Sequence, residues 1–211
     1  MLDNPLRLSP IQLDALREVG NIGAGNAATA LSTLLGRRID MTVPAVSVLP
    51  IPAVAELLGG DEAIVVGVYF RINGDAPGNM LFVLDEPSAG QLVDVLMDNN
   101  SLKAPIVGAS DGLTMSALME IGNILGSSYL SSLMTMTNLA LRISVPALAR
   151  DMSQAVLNIG LIQYGQAGDS ALVIETAFHE GKSVVRSHFF FIPDPDSFGL
   201  ILSSLGVPAD E

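Results

Sequence analysis

Asp14-Ala-Leu-Arg-Glu18-Val-Gly-Asn21 and Ser116-Ala-Leu-Met-Glu120-Ile-Gly-Asn123 are two copies of one pattern. Each copy has a short polar residue, a Glu four places on and an Asn three places after that. A Pro follows 23 places after each Asn: Pro44 after Asn21 and Pro146 after Asn123. The offset is constant, since 116 − 14, 120 − 18, 123 − 21 and 146 − 44 all give 102. A period that long means a duplicated half-domain rather than a solenoid of short repeats.

Both stretches read as helix. Apolar residues fall at Leu13, Leu16, Val19, Ile22 and Ala27 around the first, and at Leu113, Leu118, Ile121, Ile124 and Leu125 around the second. These spacings are close to a 3.6 period. Residues three and four apart share a helix face. Asp14, Glu18 and Asn21 therefore form one polar line, and Ser116, Glu120 and Asn123 another. A duplicated core repeats apolar residues; here an acid and an amide are repeated on one face. A single such pair is most simply a solvated helix face. Two pairs with matched spacing and a matched Pro point to a functional surface. Small residues surround each Asn: Gly20, Gly23, Ala24 and Gly25 in one copy, Gly122, Gly126 and Ser127 in the other. Gly inside a helix costs roughly 0.5–1 kcal/mol relative to Ala. Its use here implies close approach, either by a partner or by this protein's own backbone.

Composition narrows the chemistry. The chain has 211 residues, about half of them hydrophobic at 49%, enough for a sizeable core. It has no cysteine, which excludes disulfides, thiolate metal sites and a Cys nucleophile. The two histidines, His179 and His188, lie late in the chain and give little support to a His-rich metal centre or a Ser-His-Asp triad. A formal charge of −12 argues against nucleic acid as a partner. It fits a cytoplasmic protein that meets basic patches on other proteins. The N-terminus lacks the pattern of a secretory signal, and no apolar run reaches the length of a membrane span.

Along the chain, Ser9 reads as an N-cap with Pro10 at the first helical position and Gln12 completing a capping box. The helix is expected to stop at Gly36. Residues 39–49 alternate like a strand, with Pro44 marking an edge or bend. A short helical turn is expected at 53–58, a hairpin from 63–70 and 80–84, a helix over 87–97 and a connector at 98–110. In the second half, Ser110 or Asp111 caps a helix running to about Met136, and a strand covers 141–148 around Pro146. Val156–Gln163, Ala171–Phe178 and Lys182–Ile192 read as further strands, with a turn over 165–169. A last helix spans Ser197–Leu205 and corresponds to Pro87–Met97. Strand pairs with tight turns imply an antiparallel sheet with helices segregated on it. The expected fold class is α+β: pseudo-twofold duplicated half-domains sharing one antiparallel sheet, with two long helices on the outside. Residues 1–211 are expected to form one domain with repeat halves at approximately 9–97 and 110–206.

The doubled pattern Asp/Ser-x3-Glu-x2-Asn-x22-Pro resembles the CheC/CheX/FliY family of chemotaxis phosphatases. Asp14, Glu18, Asn21, Pro44, Ser116, Glu120, Asn123 and Pro146 match every motif position. The stretch from Glu18 to Ala30 is similar to the CheC branch. Members resembling CheX carry one such site per chain, and FliY continues into a further flagellar-switch domain. The resemblance covers nearly the whole chain and makes the expected architecture CheC-like.

The resemblance implies a phosphatase for the phosphoaspartate of the response regulator CheY. Asn21 and Asn123 would position the attacking water, and Glu18 and Glu120 would dock on a Lys of the partner. No metal or cofactor of its own is implied; the Mg²⁺ belongs to phosphorylated CheY. Asp14 and Ser116 would serve docking or helix geometry, and Pro44 and Pro146 would bend the strand beside each helix. The receptor deamidase CheD is implied as a second partner, with the region Phe198–Leu205 as one contact. Packing of that last helix on the sheet is the plainer reading of Leu200, Ile201 and Leu205. Two alternatives compete. One is a non-catalytic adaptor that binds CheD or the flagellar switch. The other is a hydrolase with its own Mg²⁺, for which one Glu per site is a thin ligand set.

Overall fold

Ser9 opens the first long helix with a reciprocal cap. Its hydroxyl accepts from the Gln12 amide at 3.3 Å, and the Gln12 side chain accepts from the Ser9 amide at 2.8 Å. Gly36, with a left-handed φ of 65°, ends the helix as expected. The computed structural model describes residues 8–97, 112–162, 170–180 and 183–207. The first half contains α1 (Pro10–Leu35), β1 (Asp40–Thr42), β2 (Val46–Pro50), α2 (Ile51–Leu57), β3 (Ile64–Gly74), β4 (Gly78–Asp85) and α3 (Glu86–Met97). The second half contains α4 (Gly112–Thr137), β5 (Leu141–Ile143), β6 (Ala147–Met152), α5 (Ser153–Ile162), β7 (Ser170–Glu180), β8 (Ser183–Pro193) and α6 (Ser197–Ser204). The connector at 98–110, the caps Ser110 and Asp111, and the turn at 165–169 lie outside the described residues.

Two expectations need correction. The strand read over 39–49 is broken into β1 and β2, and the strand over 141–148 into β5 and β6. Pro44 and Pro146 stand in the two breaks, where a missing N–H costs no ladder bond. The segment Val156–Gln163, read as a strand, is helix α5 as far as Ile162, with Gln163 outside the described residues. A short apolar run cannot be assigned by periodicity alone. Here the sheet decides: α5 covers β3, where Val156 enters the space above Gly67, so close that a Cβ there would lie 2.5 Å from Val156 Cγ1. The duplication carried the missing signal, because α2 shifted by 102 begins at Ser153, the first residue of α5.

All the strands described join one antiparallel sheet in the order β1-β7-β8-β4-β3-β5, with β2 also on β7 and β6 also on β3. The pairing is exchanged between the halves. The short strands after α1 attach to the second-half hairpin β7–β8, and those after α4 attach to the first-half hairpin β3–β4. The pseudo-twofold axis passes between the central strands β4 and β8.

Strand alternation gives the sheet two apolar faces. Phe189 and Phe191 point to one face and Phe190 to the other. The larger face packs under α1, α3, α4 and α6, with Leu16, Phe70, Phe82, Leu118, Phe178 and Ile201 fully enclosed. The smaller face packs under α2 and α5 through Val54, Val156 and Leu157. On that smaller side, His188 of β8 lies opposite Glu175 and stacks on Phe190 with ring centroids 6.0 Å apart.

The helices α1 and α4 run antiparallel along a tight seam. Ser132 Oγ donates to the Val19 carbonyl at 3.0 Å, and one turn on, Gly23 receives the Tyr129 ring. A Cβ on Gly23 would sit 2.4 Å from Tyr129 Cδ1. Tyr129 also stacks on Phe189 at 4.5 Å and shares a hydroxyl hydrogen bond with Thr176 at 3.0 Å. Burial pushes its phenol up to about 12.

Gly23→Val is therefore expected to cost about 1–3 kcal/mol through overpacking of the seam. Gly25→Ala, on the open side with nothing within 4 Å, is expected to gain roughly 0.5–1 kcal/mol. Urea unfolding of the two variants reads the difference, and equal midpoints would contradict this account of the seam. A second expectation concerns pH. Burial lowers the His188 pKa below its ordinary value, against the opposing pull of Glu175 and then Asp85. The unfolded chain then binds more protons in the window below about 6.5, so stability is full above that pH and declines as pH falls through the window. His188→Gln should flatten that part of the pH profile of the urea midpoint; an unchanged slope would exclude His188 as its source.

Candidate functional site

The back of α1 is committed to packing. Leu16, Val19, Gly20, Gly23, Ala24, Ala27 and Leu31 are buried against α4 and the sheet. At about 100° per residue, the opposite side of the cylinder carries Asp14, Glu18 and Asn21. All three are exposed. In α4, Leu118, Ile121, Gly122, Leu125 and Gly126 are buried, while Ser116 and Glu120 are exposed and Asn123 is half-buried. The greater cover of Asn123 follows from its helix, because α4 packs against α3 and α6 as well as α1. Both polar lines thus face away from the helix seam and the sheet, on helices related by the pseudo-twofold axis.

The glycines divide by role. A Cβ on Gly122 would meet Val68 at 2.8 Å, and one on Gly126 would meet Ile143 at 3.0 Å and Phe70 at 3.2 Å. Together with Gly23 they serve close packing within the protein. Gly25 alone in this group faces open space.

The accessory positions differ between the copies. Asp14 accepts from Arg17 at 3.3 Å, an exposed pair of the kind worth at most about 1 kcal/mol. Ser116 donates to the Gly112 carbonyl at 2.7 Å, a bond within its own helix. Pro44 and Pro146 sit in the strand breaks, at some remove along the chain from the polar lines. Among the described residues, no three or more His, Asp or Glu side chains gather to hold a metal ion, and no helix is long and apolar enough to cross a membrane.

The arrangement offers, on two convex helix surfaces, a carboxylate that can accept from a cation and a carboxamide that can both donate and accept.

Known proteins resemble this chain in sequence and in fold. A model described as the CheC-like family matches residues 11–48 and 113–150, two segments again offset by 102, since 113 − 11 and 150 − 48 agree. The chain is 39% identical over 197 residues to the CheY-P phosphatase CheC of Bacillus subtilis (strain 168), covering 92% of this chain and 94% of that protein. This chain belongs to the CheC-like family. Within the same organism, the flagellar motor switch phosphatase FliY is 30% identical over 140 residues, which is 66% of this chain and 35% of that one. The crystal structure of Thermotoga maritima FliY superposes with a TM-score of 0.73 at 24% identity, over 94% of this chain and 98% of that one, and shares the fold. The CheC-like model segments each begin early in a long helix and end beyond the Pro break, so each spans a whole motif copy.

One assignment from periodicity is overturned at this surface. Ile22 was grouped with the apolar face of α1, yet it is 37% exposed. Ile11, absent from that grouping, is 70% exposed. Leu13 is only half-buried. In α4 the corresponding Ile124 is half-buried against the core. The periodicity was smeared because apolar residues occupy both sides of α1, and only the position of the sheet shows which side is inward.

Proposed function

We propose that this chain dephosphorylates the phosphoaspartate of the response regulator CheY in the cytoplasm. The observation that carries the reading is the outward Glu-x2-Asn pair, present twice, in a chain that aligns over 92% of its length with a CheY-P phosphatase. An acyl phosphate is already reactive, so a catalyst gains most by positioning water in line with the bond to be broken. The carboxamides of Asn21 and Asn123 are suited to that task. One helical turn back, Glu18 and Glu120 can each accept from a Lys beside the partner's phosphoaspartate and so set the docking register. The partner supplies its own Mg²⁺, which neutralises phosphate charge; this chain supplies orientation. Asp14 and Ser116 help shape the approach to the docking surface, and Pro44 and Pro146 hold the bend after each helix.

The receptor deamidase CheD is proposed as a second partner. Its contact at Phe198–Leu205 narrows to the outer side of α6, because Phe198, Ile201 and Leu202 are buried and Leu200 is exposed. The competing reading is an adaptor that binds CheD or the flagellar switch without turnover.

Three measurements separate these readings. Asn21→Ala with Asn123→Ala should slow phosphate release from phospho-CheY by about 100-fold or more, the scale of a lost positioning contact. Each single variant should keep the turnover of its intact site; an undiminished rate in the double variant would remove the two amides from the reaction, and no faster phosphate release with the unaltered protein would leave the adaptor standing. Treatment of this protein alone with chelator, followed by assay with Mg²⁺-loaded phospho-CheY, should leave the rate unchanged. Loss of activity there would assign the metal to this chain.

A further inference from the structure

Two large apolar side chains bracket the first motif on its solvent side. Ile11 lies seven residues before Glu18, and Ile22 lies four residues after it. At about 100° per residue, Ile11, Glu18 and Ile22 fall within roughly 40° of one another around α1, on a stripe about 16 Å long. Ile11 is 70% exposed and Ile22 is 37% exposed. A single exposed apolar residue needs no explanation. This pair is distinguished by placement, since both side chains lie on the stripe that carries Glu18, whereas Ile124, the second-copy equivalent of Ile22, is half-buried against the core.

We propose that Ile11 and Ile22 are positioning residues that seat the phosphorylated receiver domain on the first motif. The inference rests on the phosphatase reading and adds to it the apolar rim of that site. The occupant is a receiver surface presenting apolar side chains around an acyl phosphate and a Lys. The argument for that occupant is continuity, since the two isoleucines flank the same face that carries Glu18 and Asn21. Covering them on docking excludes water around the polar contacts, as the rim of a protein interface does. Their effect falls on capture of the phosphorylated partner and not on the orientation of water by Asn21.

The test places Ile11→Ser and Ile22→Ser together in an Asn123→Ala background, where turnover arises at the first motif. The KM for phosphorylated CheY should rise about tenfold, the scale expected from partial burial of two such side chains, while kcat stays within about twofold. The thermal unfolding curve should stay in place, because both side chains are on the outer side of the helix. Ile11→Val with Ile22→Val should restore the KM. An unmoved KM, or a fall in kcat at constant KM, overturns the proposal. So does an Asn123→Ala protein without turnover, which would leave the second motif to account for the activity. Full turnover in the Asn21→Ala, Asn123→Ala double variant is a different failure, that of the phosphatase reading itself.

Discussion

The exchange of short strands between the two halves is the constraint from which the rest of the architecture follows. The strands after α1 complete the sheet of the second hairpin, and the strands after α4 complete that of the first. Neither half can satisfy its own sheet edge or bury its own long helix without the other. The exchange also carries each helix across the same face of the sheet from opposite directions. The antiparallel seam between α1 and α4 is the geometric result.

Close packing at that seam and on the sheet leaves the outer surfaces of both helices free for display. The sheet comes within a methyl group of α4 at Gly122, and the Tyr129 ring occupies the space that a side chain on Gly23 would take. Tyr129 has no counterpart in the first copy, where the equivalent position is Ala27. The seam is therefore filled from one side only, and the pseudo-symmetry is broken where the helices touch. The surfaces that carry Glu18 and Asn21, and Glu120 and Asn123, keep the symmetry better than the seam does. Duplication has kept the outward Glu and Asn together with the inward Leu16 and Gly20, repeated as Leu118 and Gly122, while the seam positions Gly23 and Ala27 became Leu125 and Tyr129.

Such a surface suits chemistry that requires little machinery. With a reactive acyl phosphate and a metal both held by the partner, a catalyst can act through one amide and one carboxylate on a rigid helix. On the proposed reading, specificity comes from docking a whole domain and not from enclosing a small substrate. The acidic character of the chain, at −12, favours approach by a partner with a basic surface patch.

Local rules were sufficient for much of this protein. The start of α1 was legible at Ser9, Pro10 and Gln12 and its end at Gly36, because capping depends only on neighbouring residues. The duplication and the polar lines were legible because helix periodicity is also local, whereas Pro44 and Pro146 were legible as bends in a strand and not as the full breaks that the sheet shows. The sequence alone therefore determined the repeat, the two long helices and the residues on their polar faces. Tertiary structure alone decided that β1 and β2 join the other half's hairpin, since partner choice between strands is a long-range matter. It decided that Val156 belongs to a helix, because an apolar run of that length takes the form the sheet beneath it requires. It turned Ile22 outward and left Asn123 half-covered, because burial is a property of what packs around a helix and not of the helix itself.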